Sequence, residues 1–521
     1  MSGPEDAQAP QPSEDSPGSG PLAPRVLSGA AINLAGQLAA LAAALLLTPL
    51  VVRGLGPDGY ALYTLIGTFL GYLMMLTCGA GFATQRYGAL YGGRGERGLL
   101  GAMLRFSVLL HLLAALVGGA ALLFWRHGAA DWIVSARVSV VESAAGVLLW
   151  TAVAAPFYFL LQCALNALYG LQRFRAYNAL KALEAGLPLA AAAAVLALGG
   201  GLPRVAAAFA AVMAALAVLA LALLRRELSG GAGPYASGER RAFLGFAGKS
   251  VFAQVFWLLM YQGDRLLIGG MLPLAELGFY SAASALARRF NILCCVVADT
   301  VLPMMAELEG RGERARLRRL YVKSTELSLF VILPLTVLLF MLIPQFLTLW
   351  LGADFGLRGT WPFRLLLLAN LAYLATELPH YVALAAGAPE LSGAMQGAKA
   401  LLLVGLWPLL IPRWGIAGAA FGLLAAEWLV TPLFMRHVHR SLLDLRWGRY
   451  LREACLRPFL AAAALLAAVV LVRPLVSGWF SLVVVGAAGT AFYYGIGWKL
   501  IDESSRHAAL EWLRARLARA K

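Results

Sequence analysis

Charge is scarce in this sequence. Asp, Glu, Lys and Arg make up 13% of its 521 residues, about half the share usual in soluble domains. A water-soluble fold of this length could not hide the 60% of residues that are apolar. Cysteine is scarce too. Cys78, Cys163, Cys294, Cys295 and Cys455 lie in or beside apolar runs, with no C-x-x-C pair and no Cys/His cluster, which argues against a disulfide framework and a metal site. No G-x-S-x-G, H-E-x-x-H or Gly-rich phosphate loop stands out, and the loops that would face outward are short, so an enzyme is not expected. No residue-by-residue alternation of apolar and polar side chains occurs, which excludes a membrane β-barrel.

What remains is a set of long apolar runs rich in Ala, Leu, Val and Gly, several of them without any charge for twenty or more residues. A helix of about 20 such residues crosses about 30 Å of hydrocarbon with every backbone group satisfied. Fourteen runs qualify: 28–52, 60–84, 101–124, 141–167, 179–198, 205–224, 246–272, 277–305, 321–346, 361–385, 391–410, 416–435, 454–472 and 478–500. The fold expected is an all-α polytopic membrane protein. The formal charge of +16 does not point to nucleic acid, because the basic residues cluster in alternate short loops. Their bias between the two sides is about four to one, which places both termini in the cytoplasm. Residues 1–24 read as a disordered tail rich in Pro, Ser and Gly, and 501–521 as a basic amphipathic helix on the membrane surface.

An internal repeat is visible. Tyr63 and Tyr280 sit in related contexts (Tyr60-Ala61-Leu62-Tyr63 and Leu277-Gly278-Phe279-Tyr280) and are 217 residues apart, as are Gly170 and Gly387. This offset maps spans one to six onto seven to twelve. Parallel six-helix repeats are a transporter architecture with the substrate site between the halves. The expected organisation is an N-lobe at 25–228, a cytoplasmic linker at 229–245, a C-lobe at 246–440, and two peripheral helices within 441–500.

Polar groups in hydrocarbon are costly unless they face protein or a wet cavity. Helical spacing sets Asn33 and Gln37 on one stripe of the first span; Tyr158, Gln162 and Asn166 on the fourth; and Gln254, Tyr261 and Arg265, beside Asp264, on the seventh. The eighth carries Arg288, Asn291, Cys295 and Asp299, with Arg289 adjacent; the tenth carries Asn370, Tyr373 and Glu377; the eleventh Ser392, Gln396 and Lys399. Arg288 and Asp299 share a face about 16 Å apart. Such stripes either glue helices together or line a cavity. Asp264 and Arg265 fit a paired interfacial role as well as a cavity role, and Glu377 and Lys399 fit a structural pair. Arg288 lies about eleven residues into its span, where snorkelling is hardest, and is read as a cavity residue. A cavity lined by arginine suits an anion, because guanidinium recognises phosphate by charge and bidentate hydrogen bonding.

The chain resembles the polysaccharide transporter family of the multidrug/oligosaccharidyl-lipid/polysaccharide flippase superfamily, the O-antigen, capsule and exopolysaccharide unit flippases. The likeness is carried by Thr48-Pro49-Leu50-Val51-Val52-Arg53-Gly54-Leu55-Gly56 running into Tyr60–Tyr63, by Gly79-Ala80-Gly81-Phe82, and by Asp264-Arg265-Leu266-Leu267-Ile268-Gly269. It continues through Leu277–Ala283, Val301-Leu302-Pro303 and Trp414–Ala420. The resemblance implies two six-helix lobes about a central cavity. It implies alternating access that exports an undecaprenyl-diphosphate-linked glycan across the cytoplasmic (inner) membrane. It also implies cationic cavity residues, carried here onto Arg288, Arg265 and Arg289. Lys399, Asn33, Gln37, Gln162, Asn370 and Tyr373 complete the candidate substrate contacts, and Asp264, Asp299 and Glu377 are candidates for ion coupling. The partners expected are the lipid-linked glycan, membrane lipids and glycan polymerase or ligase machinery; no cofactor, metal or nucleic acid is expected, and the protein is expected to be a monomer. The alternative is an ion-coupled exporter of organic cations from the same superfamily. Such exporters often rely on an acid in the first span, where this chain has Asn33 and Gln37.

Overall fold

The computed structural model describes residues 22–134, 138–230, 235–289, 301 and 304–500; side chains are described over the same residues except 22–40, 129–134, 138–143, 252, 253, 257 and 261. The described residues are helical with no strand. The main helices are α1 (Leu22–Leu73), α2 (Ala80–Gly93), α3 (Arg97–Val134), α4 (Val138–Gly170), α5 (Phe174–Ala197), α6 (Leu202–Leu223), α7 (Ser237–Met271), α8 (Leu274–Arg289), α9 (Arg314–Leu351), α10 (Ala353–Ala385), α11 (Pro389–Ser441), α12 (Leu456–Val472) and α13 (Trp479–Leu500). Ten helical segments among the described residues are long and apolar enough to cross a membrane, and the protein is a multi-pass membrane protein.

Local sequence explains where the helices break. The 52 residues of α1 are interrupted at Gly56, with φ 70° and ψ 176°. Pro57 forces the residue before it into an extended ψ, and only glycine takes that ψ together with a positive φ at little steric cost. The 53 residues of α11 break at Gly415, with φ 57° and ψ −142°, a conformation open to glycine although no proline follows it. The offset seen in the sequence recurs in the helix ends. Both α3 and α9 have 38 residues, starting 217 apart at Arg97 and Arg314, whereas α4 and α10, each of 33, start 215 apart at Val138 and Ala353.

Two contact zones join the part of the chain before 230 to the part after 235. In the first, the second half of α1 packs along α8. A Cβ at Gly278 would lie 2.3 Å from the carbonyl oxygen of Pro57, so the approach needs glycine. Thr64 Oγ1 donates to Ser281 Oγ at 3.1 Å, a pair separated by 217 residues, and Trp350 Nε1 donates to Leu45 O at 2.7 Å. In the second, α2 packs on the start of α7. There Tyr91 Oη donates to Glu239, and the Arg86 guanidinium lies 4.3 Å from the Phe246 ring centre. Van der Waals packing drives helix association where lipid is as apolar as the side chains. The helices accordingly meet at small residues, such as Ala154, Ala155, Ala217 and Ala220, all buried. The last two helices, α12 and α13, pack on α9 and on each other through Leu338, Leu342, Leu465 and Tyr493.

Candidate functional site

The α7–α8 pair assembles a cluster of charge from residues close in sequence. Both oxygens of the buried Asp264 carboxylate are engaged: Tyr280 Oη donates to Oδ2 at 2.6 Å, and the backbone N–H of Arg265 donates to Oδ1 at 2.8 Å. Two guanidiniums converge on one hydroxyl oxygen. Arg288 Nη2 donates to Ser284 Oγ at 2.9 Å and Arg265 Nη2 at 3.3 Å. Ser284 sends its own proton to Ser281 O at 3.2 Å, which leaves its lone pairs to the arginines. Arg265 Nε is buried without a partner. Two cations meeting at one oxygen repel each other, by roughly 3 kcal/mol at about 6 Å and an effective dielectric of about 20. A bound anion would turn that cost into attraction.

Arg288 lines a small cavity of about 40 Å³, together with Asp264, Ser284, Asn370, Tyr373 and Glu427 and the apolar Met260, Leu366 and Leu423. Asn370 Nδ2 donates to Ala287 O at 2.8 Å, tying α10 to α8. Behind the wall, Lys399 Nζ bonds Glu427 Oε2 at 2.7 Å, with side-chain exposures of 0% and 4%. Such a pair is tolerable at this depth only because each charge has the other. Lys399 therefore lies behind the cavity surface, and Glu427 presents one edge to it.

A second, larger cavity of about 480 Å³ lies on another face of α7. Its polar lining is Tyr158, Gln162 and Asn166 from α4, Lys181 from α5, and Gln254 and Gln262 from α7. Gln162 Nε2 donates to Glu184 Oε1 at 2.6 Å, and Lys181 Nζ bonds the other oxygen at 2.9 Å. Gln254 is spent on backbone: its Oε1 accepts from Gly79 N–H and its Nε2 donates to Met74 O, both at 3.1 Å.

The stripes read from the sequence thus fall in two groups. Arg265, Arg288, Asp264, Asn370 and Tyr373 meet around the smaller cavity, and Gln162 faces the larger one. Arg289 ends α8, half-buried, and Glu377 is half-buried one turn beyond Tyr373. The side chains of Asn33 and Gln37 lie outside the described residues, as does Asp299 altogether. Lys181, at the start of the run 179–198, carries no role in the sequence reading. Because α5 begins at Phe174, Lys181 stands two turns inside it and faces a cavity. Its three-residue spacing from Glu184 was the available signal, since residues so spaced share a helix face.

Comparisons with known proteins bear on the family and the fold. A curated protein described as a putative O-antigen transporter, from Shigella flexneri, is 21% identical over 399 residues, covering 73% of this chain and 92% of that protein. The solved structure of the lipid II flippase MurJ in an inward closed conformation superposes with a TM-score of 0.69 at 12% identity, covering 91% of this chain and 99% of that one. An inward-facing multidrug resistance transporter of the MATE family gives 0.66 at 15% identity, covering 79% and 98%. At these identities the structures speak to fold alone. The sequence profile described as polysaccharide biosynthesis protein matches residues 26–309, a stretch that holds α1 to α8 with Asp264, Arg265 and Arg288. Since it takes in more than half of the chain, the protein belongs to the polysaccharide biosynthesis protein family.

Proposed function

We propose that this chain is a flippase that carries a lipid-diphosphate-linked oligosaccharide, an O-antigen, capsule or exopolysaccharide unit, across the cytoplasmic membrane by alternating access. The observation that carries this reading is the convergence of Arg265 and Arg288 on Ser284 Oγ beside a cavity. Two guanidiniums held against each other, one with a buried unpartnered N–H, form a receptor for a dianionic diphosphate. Charge-assisted bonds to phosphate are about twice as strong as neutral ones. Arg289 extends the cluster, and Asn370 and Tyr373 contact the ligand from α10. Gln162, with Asn33 and Gln37, serves the glycan. Lys399 acts indirectly, by holding Glu427 at the wall. Asp264, Asp299 and Glu377 are the candidates for coupling to an ion gradient.

The topology that goes with this reading has about fourteen spans. A continuous 52- or 53-residue helix would run about 80 Å at 1.5 Å per residue, more than twice the hydrocarbon thickness, so α1 and α11 each count as two spans folded at their glycine. The chain then divides into an N-lobe (25–228), a linker (229–245), a C-lobe (246–440) and two added helices (441–500). Both termini are cytoplasmic in the inner membrane. Thr64 and Ser281, equivalent by the 217-residue offset and bonded to each other, are placed as residues on a pseudo-two-fold axis would be. The organic-cation reading is disfavoured because an arginine-lined wall repels cations.

The test is reconstitution into vesicles with a fluorescent undecaprenyl-diphosphate oligosaccharide in one leaflet. The intact protein is expected to equilibrate it between leaflets, and Arg288→Ala to insert normally yet lose most of the rate. An Arg288→Ala protein flipping at the full rate removes the anion receptor from the mechanism.

A further inference from the structure

Resting on the flippase reading, we infer that the larger cavity is a separate saccharide subsite whose ligand is uncharged and rich in hydroxyls, and that Lys181 with Glu184 is part of its recognition surface. The placement on α7 comes first. Gln254, Leu258 and Gln262 line this cavity, and Arg265 follows Gln262 by three residues, so all four lie along one stripe of the helix. Arg265 therefore stands one turn beyond Gln262 on the stripe that lines this cavity, while its neighbour Arg288 lines the smaller one. A diphosphate held by Arg265 directs its attached sugar along the stripe.

The lining is chemically suited to sugar. At about 480 Å³ the cavity lies within the roughly 300–1,000 Å³ of common small-molecule pockets, enough for one or two sugar rings. Gln262 Oε1 is buried and accepts from nothing, and a sugar hydroxyl supplies the missing donor. Two glycines make room for the carboxamides. A Cβ at Gly71 would lie 2.8 Å from Gln262 Nε2, and one at Gly81 would lie 2.8 Å from Asn166 Nδ2. Asn166 spends one donor on Gln162 O at 2.9 Å.

The charges decide the class of sugar. Lys181, with 41% of its side chain exposed, is neutralised by Glu184, 16% exposed, at 2.9 Å. The ammonium keeps two further N–H donors, beside a carboxylate that accepts. Lys181, which lines the cavity, donates to hydroxyls of a neutral sugar while Glu184 behind it holds the ammonium. A uronic acid would instead have to compete with Glu184 for that ammonium.

The experiment measures binding to the full-length protein in nanodiscs. The probes are undecaprenyl diphosphate without sugar, the same lipid bearing a di-N-acetylhexosamine, and the same lipid bearing a hexuronate-containing disaccharide. The neutral glycolipid is expected to bind about tenfold tighter than the bare lipid, the gain of one or two net hydrogen bonds, and tighter than the acidic one. Gln162→Ala and Gln262→Ala are each expected to remove most of that gain, and Gln262→Ala to leave bare-lipid binding unchanged. Gln262→Met, which keeps side-chain length, guards against misfolding. Glu184→Gln is expected to reverse the preference toward the acidic glycan. Equal binding of bare and neutral lipids, or a gain that survives both variants, overturns the subsite alone. Failure of all three lipids to bind overturns the lipid-diphosphate reading and takes the subsite with it.

Discussion

Arg265→Met separates a receptor for an anion from a structural arginine. Methionine keeps the unbranched stem and deletes the charge. In the free protein the wild-type guanidinium is placed badly. It shares the Ser284 hydroxyl with Arg288, and the two Nη2 atoms are no more than about 6 Å apart, for a repulsion of roughly 3 kcal/mol. Its Nε is buried without a partner, an omission that costs about 1–3 kcal/mol. The neighbouring Asp264 charge opposes these terms, but that carboxylate is already held by Tyr280 and a backbone N–H. The substitution is therefore expected to leave the unfolding midpoint within about 2 °C of wild type, or to raise it. A phosphate oxygen bonded by this arginine loses about 1.5–3 kcal/mol, which is about 10- to 150-fold in affinity. The assays are thermal unfolding in detergent and lipid-diphosphate binding in nanodiscs. A midpoint that collapses while binding stays intact refutes the reasoning, because it makes Arg265 a structural residue.

Three further outcomes follow from the geometry. Lys399→Met strands the buried Glu427 charge and is expected to cost about 3–5 kcal/mol, whereas Lys399→Met with Glu427→Leu recovers most of it; thermal unfolding of the two variants decides. Gly278→Ala puts a Cβ 2.3 Å from the Pro57 carbonyl oxygen and is expected to cost about 1–3 kcal/mol and to slow flipping. Gly405→Ala, with nothing within 4 Å of its Cβ, is expected to be neutral or slightly stabilising, and equal midpoints for these two glycine variants defeat the close-approach argument. In a cysteine-free background, single cysteines at Gly95 and Gly312 are expected to react with an impermeant maleimide from the cytoplasmic side, and those at Gly199 and Gly352 from the opposite side. Labelling of all four from one side contradicts the topology.

Much of the site could be read before any coordinates. Arg288 was singled out because a cation eleven residues into an apolar run needs a reason to be there, and the structure sets it on a cavity wall beside Ser284. The stripe holding Gln162 and Asn166 was legible from four-residue spacing, and both line one cavity. Lys181 was missed because a cation near a run of loop arginines looks like one more of them. What decides its role is the start of α5 seven residues earlier, and helix starts are the least certain feature of a sequence reading. Lys399 was recognised as a polar residue at depth, but its partner stands 28 residues on, beyond the break at Gly415. No periodicity within one helix can name a partner on the next.

The amino-acid sequence alone determined that the chain lives in a bilayer and that it crosses it as helices. Those properties follow from transfer of apolar side chains out of water and from backbone bonds closed within each helix, which are local and additive along the chain. Tertiary structure decided which polar groups meet: two arginines on one serine hydroxyl, a lysine sealed against a glutamate, and a helix with a different cavity on each of two faces. In lipid those meetings depend on how closely small residues let helices approach, and that distance is a property of pairs of helices.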